Sequence, residues 1–171
     1  MPRGIYIRER PRPLRALGSI ILIGLVIGFS VWTLQNNKKD PVVDTQLQSI
    51  ISDWKKDINS VGLDADALIM RVDKVQIVER IPYGLLNRAS TNDIIGRADH
   101  STRTIWILER KYERHQLKAL VYHELGHYIF NLHHVGDGLM MSTDIKEESG
   151  YYKDNWDILL PIYLDKCKRA R

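Results

Sequence analysis

The sequence predicts an α+β domain behind a single N-terminal membrane-spanning helix, the domain combining a short mixed sheet with one helix that carries an HExxH pattern. Three observations predict it. Residues 16–34 form an uncharged apolar run. Two stretches further on, within 67–80 and 94–108, are rich in β-branched and aliphatic residues. A helical pattern then contains His123-Glu124-Leu125-Gly126-His127. Hydrophobic content of 44% and charged content of 27% are ordinary for a globular chain, and 171 residues accommodate one modest domain plus a small segment.

Residues 1–15 carry five arginines (Arg3, Arg8, Arg10, Arg12, Arg15) and one acid, Glu9, and so account for the whole net charge of +4. The remaining 20 basic and 20 acidic residues cancel. The basic character therefore belongs to a tail and gives no reason to expect a nucleic-acid partner. The single cysteine, Cys167, excludes an intrachain disulfide framework.

Residues 16–34, ALGSIILIGLVIGFSVWTL, are long enough to cross a bilayer as a helix. Trp32 stands at one end, where an interfacial aromatic belongs. The arginines precede the span, whereas Lys38 and Lys39 after it are offset by Asp40 and Asp44. The positive-inside rule thus places residues 1–15 as a cytoplasmic tail and the domain on the periplasmic or extracellular side of the membrane. A cleaved signal peptide would have a shorter apolar region, and Val31-Trp32-Thr33-Leu34-Gln35 is a poor cleavage site, so the span reads as an uncleaved signal-anchor. Gly24 and Gly28 form a GxxxG pair, a candidate face for weak homodimerisation, although glycine is common in membrane helices for other reasons.

Residues 35–44 read as a polar linker and 45–171 as the domain. Leu47, Ile50, Ile51, Trp54, Ile58 and Val61 mark one stripe of an amphipathic helix that ends at Gly62. Residues 67–80 predict one strand or two short ones, and 94–98 and 103–108 two more, joined by a turn around Asp99 to Thr102. Pro82, Gly84, Asn87 and the 90–93 polar run make a loop between them. Tyr112 to Phe130 turns helical, with Leu117, Leu120, Val121, Leu125, Tyr128 and Ile129 as core candidates. Tyr151 to Leu164 predicts a closing helix with Pro161 inside it.

The chemistry concentrates in residues 119–141. His123 and His127 are four apart, hence one turn apart on the same helix face, where two imidazoles can bind one metal ion. Glu124 beside them is placed to act as general base on an activated water. A hydrolytic zinc site needs a third protein ligand and an open position. His133 and His134 both follow within reach. Phe130 cannot turn the helix in the left-handed conformation without strain, whereas asparagine is the best non-glycine residue for it. The pattern resembles that of the metzincin metallopeptidases, whose third histidine stands three residues after the helix-ending glycine; a turn at Asn131 in place of that glycine implies His134 as the third ligand over His133. Glu147 and Glu148, 20 and 21 residues past His127, are less favoured alternatives. His100 and His115 have no partner at ligand spacing.

The stretch His123 to His134, HELGHYIFNLHH, followed by Gly138-Leu139-Met140, resembles the metzincin metallopeptidases and a bacterial and phage group of zinc metallopeptidases with one extra residue before the third histidine. Phe130 stands where metzincins carry the helix-ending glycine. The resemblance implies a zincin-like fold and a Zn2+ ion. It further implies peptide-bond hydrolysis on protein or peptide substrates and a methionine-turn residue at Met140. It also implies that the strand Arg103 to Leu108, immediately before the helix, pairs with extended substrate. The competing expectation is a non-catalytic binding or structural domain at the membrane surface. A DNA-associated zincin of the SprT-like kind is disfavoured by the neutral domain.

Overall fold

The computed structural model describes residues 40–82, 94–136, 139–143, 146 and 150–171. The tail 1–15, the span 16–34 and the Gly24/Gly28 pair lie outside them, as do Glu147 and Glu148. Among the described residues no helix is long and apolar enough to cross a membrane. Residues Asp40–Arg171 form one compact unit.

The unit is α+β. Its elements run β1 (Val42–Val43), a 3-10 turn at Thr45–Leu47, α1 (Gln48–Ser60), α2 (Ala65–Ile69), β2 (Lys74–Val78), β3 (Gly96–Asp99), β4 (Thr104–Leu108), α3 (Arg114–Phe130) and α4 (Tyr151–Arg169). The strands form a mixed sheet in the order β1-β2-β4-β3, with β1, β2 and β4 mutually parallel and β3 antiparallel to β4. Val42 and Val43, within the segment read as linker, pair with Lys74 and Val75 and so join the sheet.

Two local readings change. The stretch 67–80 is not all strand, because its first residues complete the five-residue helix α2. The Asp64 carboxylate accepts from the Ala67 amide at 3.0 Å, and the Asn59 side-chain carbonyl accepts from Ala65 at 3.0 Å. These side chains cap an N-terminus whose buried Ala65, Leu68 and Ile69 keep helical spacing. Extended structure starts only at Lys74. The other change concerns β4. It lies between β2 and β3, so both of its edges are already hydrogen-bonded. Arg103 to Leu108 therefore has no free edge for an extended substrate, and among the described residues the edge strand next to β4 is β3.

The turn between β3 and β4 is fixed by side chains. Asp99 accepts from the Ser101 amide and hydroxyl at 2.8 and 2.6 Å, and these bonds hold its carboxyl below the usual range. Arg103 takes a left-handed φ of 54° there. Its guanidinium donates to the Arg71 and Met70 carbonyls, both at 3.0 Å, and its own carbonyl accepts from Asp73 at 2.7 Å. These bonds offset the cost of positive φ in a long side chain.

Helix α3 is buried on almost every side. Residues Ala119 through Gly126 are all buried, which explains why their pattern shows no clean polar face. One side packs on β3 and β4 of the sheet, and its buried residues share one core cluster with Val75, Ile105 and Ile107. On another side, Lys118 and Tyr122 reach α1. The Lys118 ammonium lies 3.0 Å from the Asp53 carboxylate, and the Tyr122 hydroxyl donates to Asp57 at 2.7 Å. Trp156 of α4 closes the third side, its ring 4.7 Å from the Lys118 ammonium and edge-on to Tyr122. Among the described residues no buried side-chain nitrogen or oxygen lacks a partner.

The three long helices meet at Tyr163. Its hydroxyl accepts from the Trp54 indole at 3.2 Å and donates to the Tyr122 carbonyl at 2.9 Å. Both partners are buried, so neither can turn to water when the bridge is removed. We expect Tyr163→Phe to cost about 1–3 kcal/mol in urea unfolding; an unchanged midpoint would show that the hydroxyl does not tie the helices.

Candidate metal centre

Helix α3 ends at Asn131, which takes the left-handed conformation with φ 52° and ψ 36°. The Gly126 carbonyl receives both the Asn131 and the Leu132 amides, the latter at 3.1 Å. This turn reverses the chain, and the Val135 amide then donates to the Met141 carbonyl at 2.9 Å. The returning segment carries His134 back over the helix face that holds His123 and His127.

The three rings converge through their Nε2 atoms. His123 and His127 lie 2.9 Å apart, His127 and His134 3.0 Å, and His123 and His134 3.2 Å. His134 completes this group, and His133 stays exposed outside it. Neither His100 nor His115 belongs to it: His100 stacks on Tyr128 at 4.6 Å, and His115 meets Trp156 edge-on.

Ring orientation is set from behind. His123 Nδ1 lies 2.8 Å from the Met140 carbonyl, and His127 Nδ1 lies 2.6 Å from the Leu132 carbonyl. A carbonyl only accepts, so each Nδ1 carries the proton and each Nε2 presents a lone pair. Burial favours the neutral rings. It drives His123 down to about 4, and it lowers His127 as well. Two lone pairs therefore face each other with no proton between them. A cation removes that repulsion, and imidazole nitrogen is a good ligand for several transition metals. Two nitrogens held tetrahedrally at ~2.0–2.1 Å from zinc stand ~3.3 Å apart. The observed triangle needs to open by only about 0.1–0.4 Å to match that spacing. The three histidines are thus close enough to hold a metal ion, and their chemistry fits one.

Glu124 turns to the sheet. It is 5% exposed, and its carboxyl accepts a hydrogen bond from the Ala98 amide. Burial pushes the carboxyl up to about 8 in the metal-free site, against the opposing effect of that amide. The outer edge of β3 runs beside it. The Leu108 amide donates to the Ile95 carbonyl at 2.8 Å, and the alternation of an antiparallel ladder then turns the backbone groups of Gly96 and Ala98 away from β4.

The methionines divide two tasks. Met140 supplies the carbonyl behind His123, and the side chain packed on α3 at Gly126 is that of Met141. A Cβ at Gly126 would lie 2.8 Å from the Met141 sulfur, so glycine is what lets this floor approach. Reading the sequence offers both methionines and prefers Met140. It also passes over Gly96 and Ala98, although a glycine opening a strand is a recognisable mark of close backbone approach. Glu147 and Glu148 lie outside the described residues.

Comparisons with family models, curated proteins and solved structures found no match to this chain.

Two outcomes follow. His134→Ala should weaken metal binding by more than about 100-fold, since losing even the group behind a ligand costs about 10–100-fold. His133→Ala should leave affinity near wild type. Equilibrium titration with zinc decides, and the reverse ranking would reject His134 as ligand. The second outcome concerns the metal-free protein. The folded state keeps Glu124 protonated up to about pH 8, while the unfolded chain ionises near the ordinary 4.5. Folded protein thus binds the extra proton in this window, and stability falls as pH rises. His123 acts oppositely, its stability lost as pH falls from 6.5 toward 4. Between pH 6.5 and 8 the Glu124 effect dominates, so in chelator wild type should lose stability and Glu124→Gln should not. Parallel slopes in urea unfolding would contradict the assignment.

Proposed function

We propose that the chain is a membrane-anchored zinc metallopeptidase with a metzincin-like site, its domain facing the periplasm or exterior. The observation that carries the reading is the convergence of His123, His127 and His134 Nε2 atoms, together with a buried carboxyl at Glu124, the residue next to His123 in the sequence. A metal site serving structure alone has no use for such a group, because burying an ionisable carboxyl without a charge partner is costly. This weighs against the non-catalytic alternative.

His123, His127 and His134 would hold the ion, leaving a fourth position open. When bound, zinc supplies Lewis acidity toward a carbonyl and an acidified water. Glu124 takes the proton of the attacking water on its carboxylate and passes it to the leaving amine nitrogen. A cation held by the three imidazoles would favour the ionised carboxylate, the form in which Glu124 serves as base. The Met140 and Leu132 carbonyls keep the two helical imidazoles in their ligating tautomer.

The outer edge of β3, unpaired among the described residues, suits an extended peptide. The outward backbone groups at Gly96 and the Ala98 carbonyl can pair with a substrate strand beside Glu124, giving main-chain recognition that tolerates varied side chains. A protein or peptide substrate is therefore favoured over a small molecule. The apolar run 16–34 and its flanking arginines support the membrane anchor, and the charge balance of the remainder speaks against a nucleic-acid partner.

The test compares wild type with Glu124→Gln for zinc content and hydrolysis of unstructured protein substrates. Wild type should carry one zinc. The variant should retain it while hydrolysis falls by about 10²–10⁴-fold, the usual worth of a general base. Wild type without stoichiometric zinc, or a variant of full activity, would overturn the reading.

A further inference from the structure

We infer that Gly96 is a positioning residue for Glu124: the missing side chain at the start of β3 is the seat in which the general base is held. The inference rests on the peptidase reading of this site.

A Cβ built on Gly96 would lie 2.5 Å from Glu124 Oε1, 3.0 Å from its Cδ and 2.9 Å from Leu120 Cδ1. Real Cβ atoms essentially never come closer than 3.0 Å to such neighbours. The backbone does not demand glycine here, because φ at Gly96 lies outside the left-handed region. Space alone demands it. Glycine in a strand costs conformational entropy and packs nothing, so its presence without a backbone reason points to the neighbour it admits.

The neighbour has little freedom to yield. Glu124 is 5% exposed and bonded to the Ala98 amide, two residues along the same strand. Its backbone sits in the buried core of α3, next to His123, whose ring is fixed by the Met140 carbonyl. Leu120, one turn earlier, is 1% exposed in the main core. A methyl at position 96 therefore moves the carboxyl away from the Ala98 amide and changes its aim relative to the three imidazoles. The ligands themselves keep their positions, because Gly96 touches none of them among its close neighbours. The effect expected is on the base and not on the metal.

The experiment uses Gly96→Ala in wild-type, Glu124→Asp and Glu124→Ala backgrounds of the full chain. In the wild-type background kcat should fall about 100-fold, the scale of a 1 Å misplacement of a reacting group, with KM and zinc affinity nearly unchanged. Aspartate is one methylene shorter and leaves room for the methyl. The double variant Gly96→Ala, Glu124→Asp should accordingly be no slower than Glu124→Asp alone. A readout independent of turnover comes from the Ala98 amide. Its proton resonance should move upfield and exchange faster in Gly96→Ala, as in Glu124→Ala, while amides of β4 stay put. Thermal unfolding adds a control, since the loss of stability caused by Gly96→Ala should vanish once Glu124 is alanine. Wild-type kcat in Gly96→Ala would overturn the inference, and so would a penalty that persists in the Glu124→Ala background, which would assign the clash to Leu120. If wild type hydrolyses nothing, the peptidase reading fails, and the Ala98 resonance and the stability cycle still decide whether Gly96 seats Glu124.

Discussion

Two imidazole rings on adjacent turns of a helix can point their lone pairs at one spot only if something behind each ring holds the proton on the far nitrogen. Here that task falls to two main-chain carbonyls, Met140 behind His123 and Leu132 behind His127. Both come from the segment that follows helix α3, so the reversal at Asn131 does three things. It ends the helix, sends His134 back as the third donor and delivers the carbonyls that orient the other two. Much of the remaining architecture keeps this reversal in register with the helix. The Val135–Met141 backbone bond closes the returning segment, and Met141 packs where Gly126 leaves space.

The helix needs equal support, because a metal-binding face that breathes would lose its geometry. It is held by the sheet on one side and by two other helices elsewhere. Two of the contacts to α1 are polar: Lys118 to Asp53 and Tyr122 to Asp57, pairs spaced one turn apart on both helices. Polar pairs of this kind add little net stability compared with apolar packing, but they specify register. A slip of one residue along either helix would break both pairs at once. The core cluster around Trp54, Leu120 and Ile105 supplies the bulk of the stability, and these pairs fix the rotation at which His123 and His127 emerge.

Much of the site was legible in the sequence, because its central part is local. Four-residue spacing on a helix dictates a shared face, and the preference of asparagine for positive φ dictates where the chain turns. Both follow from short-range sterics. The fold class and β3 and β4 were legible from periodicity for similar reasons. The parts that were not legible depend on distant partners. Residues 67–69 read as the start of a strand by composition, but the caps from Asp64 and Asn59 tip them into the helix Ala65–Ile69. The identity of the edge strand depends on the order of the sheet, which periodicity does not encode, so the pairing of β4 on both of its edges is not legible in the sequence. Gly96 showed itself as a glycine in a strand, yet the carboxyl that it accommodates comes from 28 residues later. The segment 16–34 remains a matter of sequence alone.

The distances along the chain separate two events in the life of the molecule. His123 and His134 are 11 residues apart, so all three donor rings come from a segment that needs only one helix and its terminal turn to assemble. Closing so short a loop costs little chain entropy, and it can form early. The seat of Glu124 is different, because it requires β3 to have paired with β4 and the sheet to have docked on α3. Were the rings to take up an ion, as their spacing allows, that short segment would hold it before the sheet has docked on α3. The hydrogen bond from the Ala98 amide to Glu124 forms only with that docking.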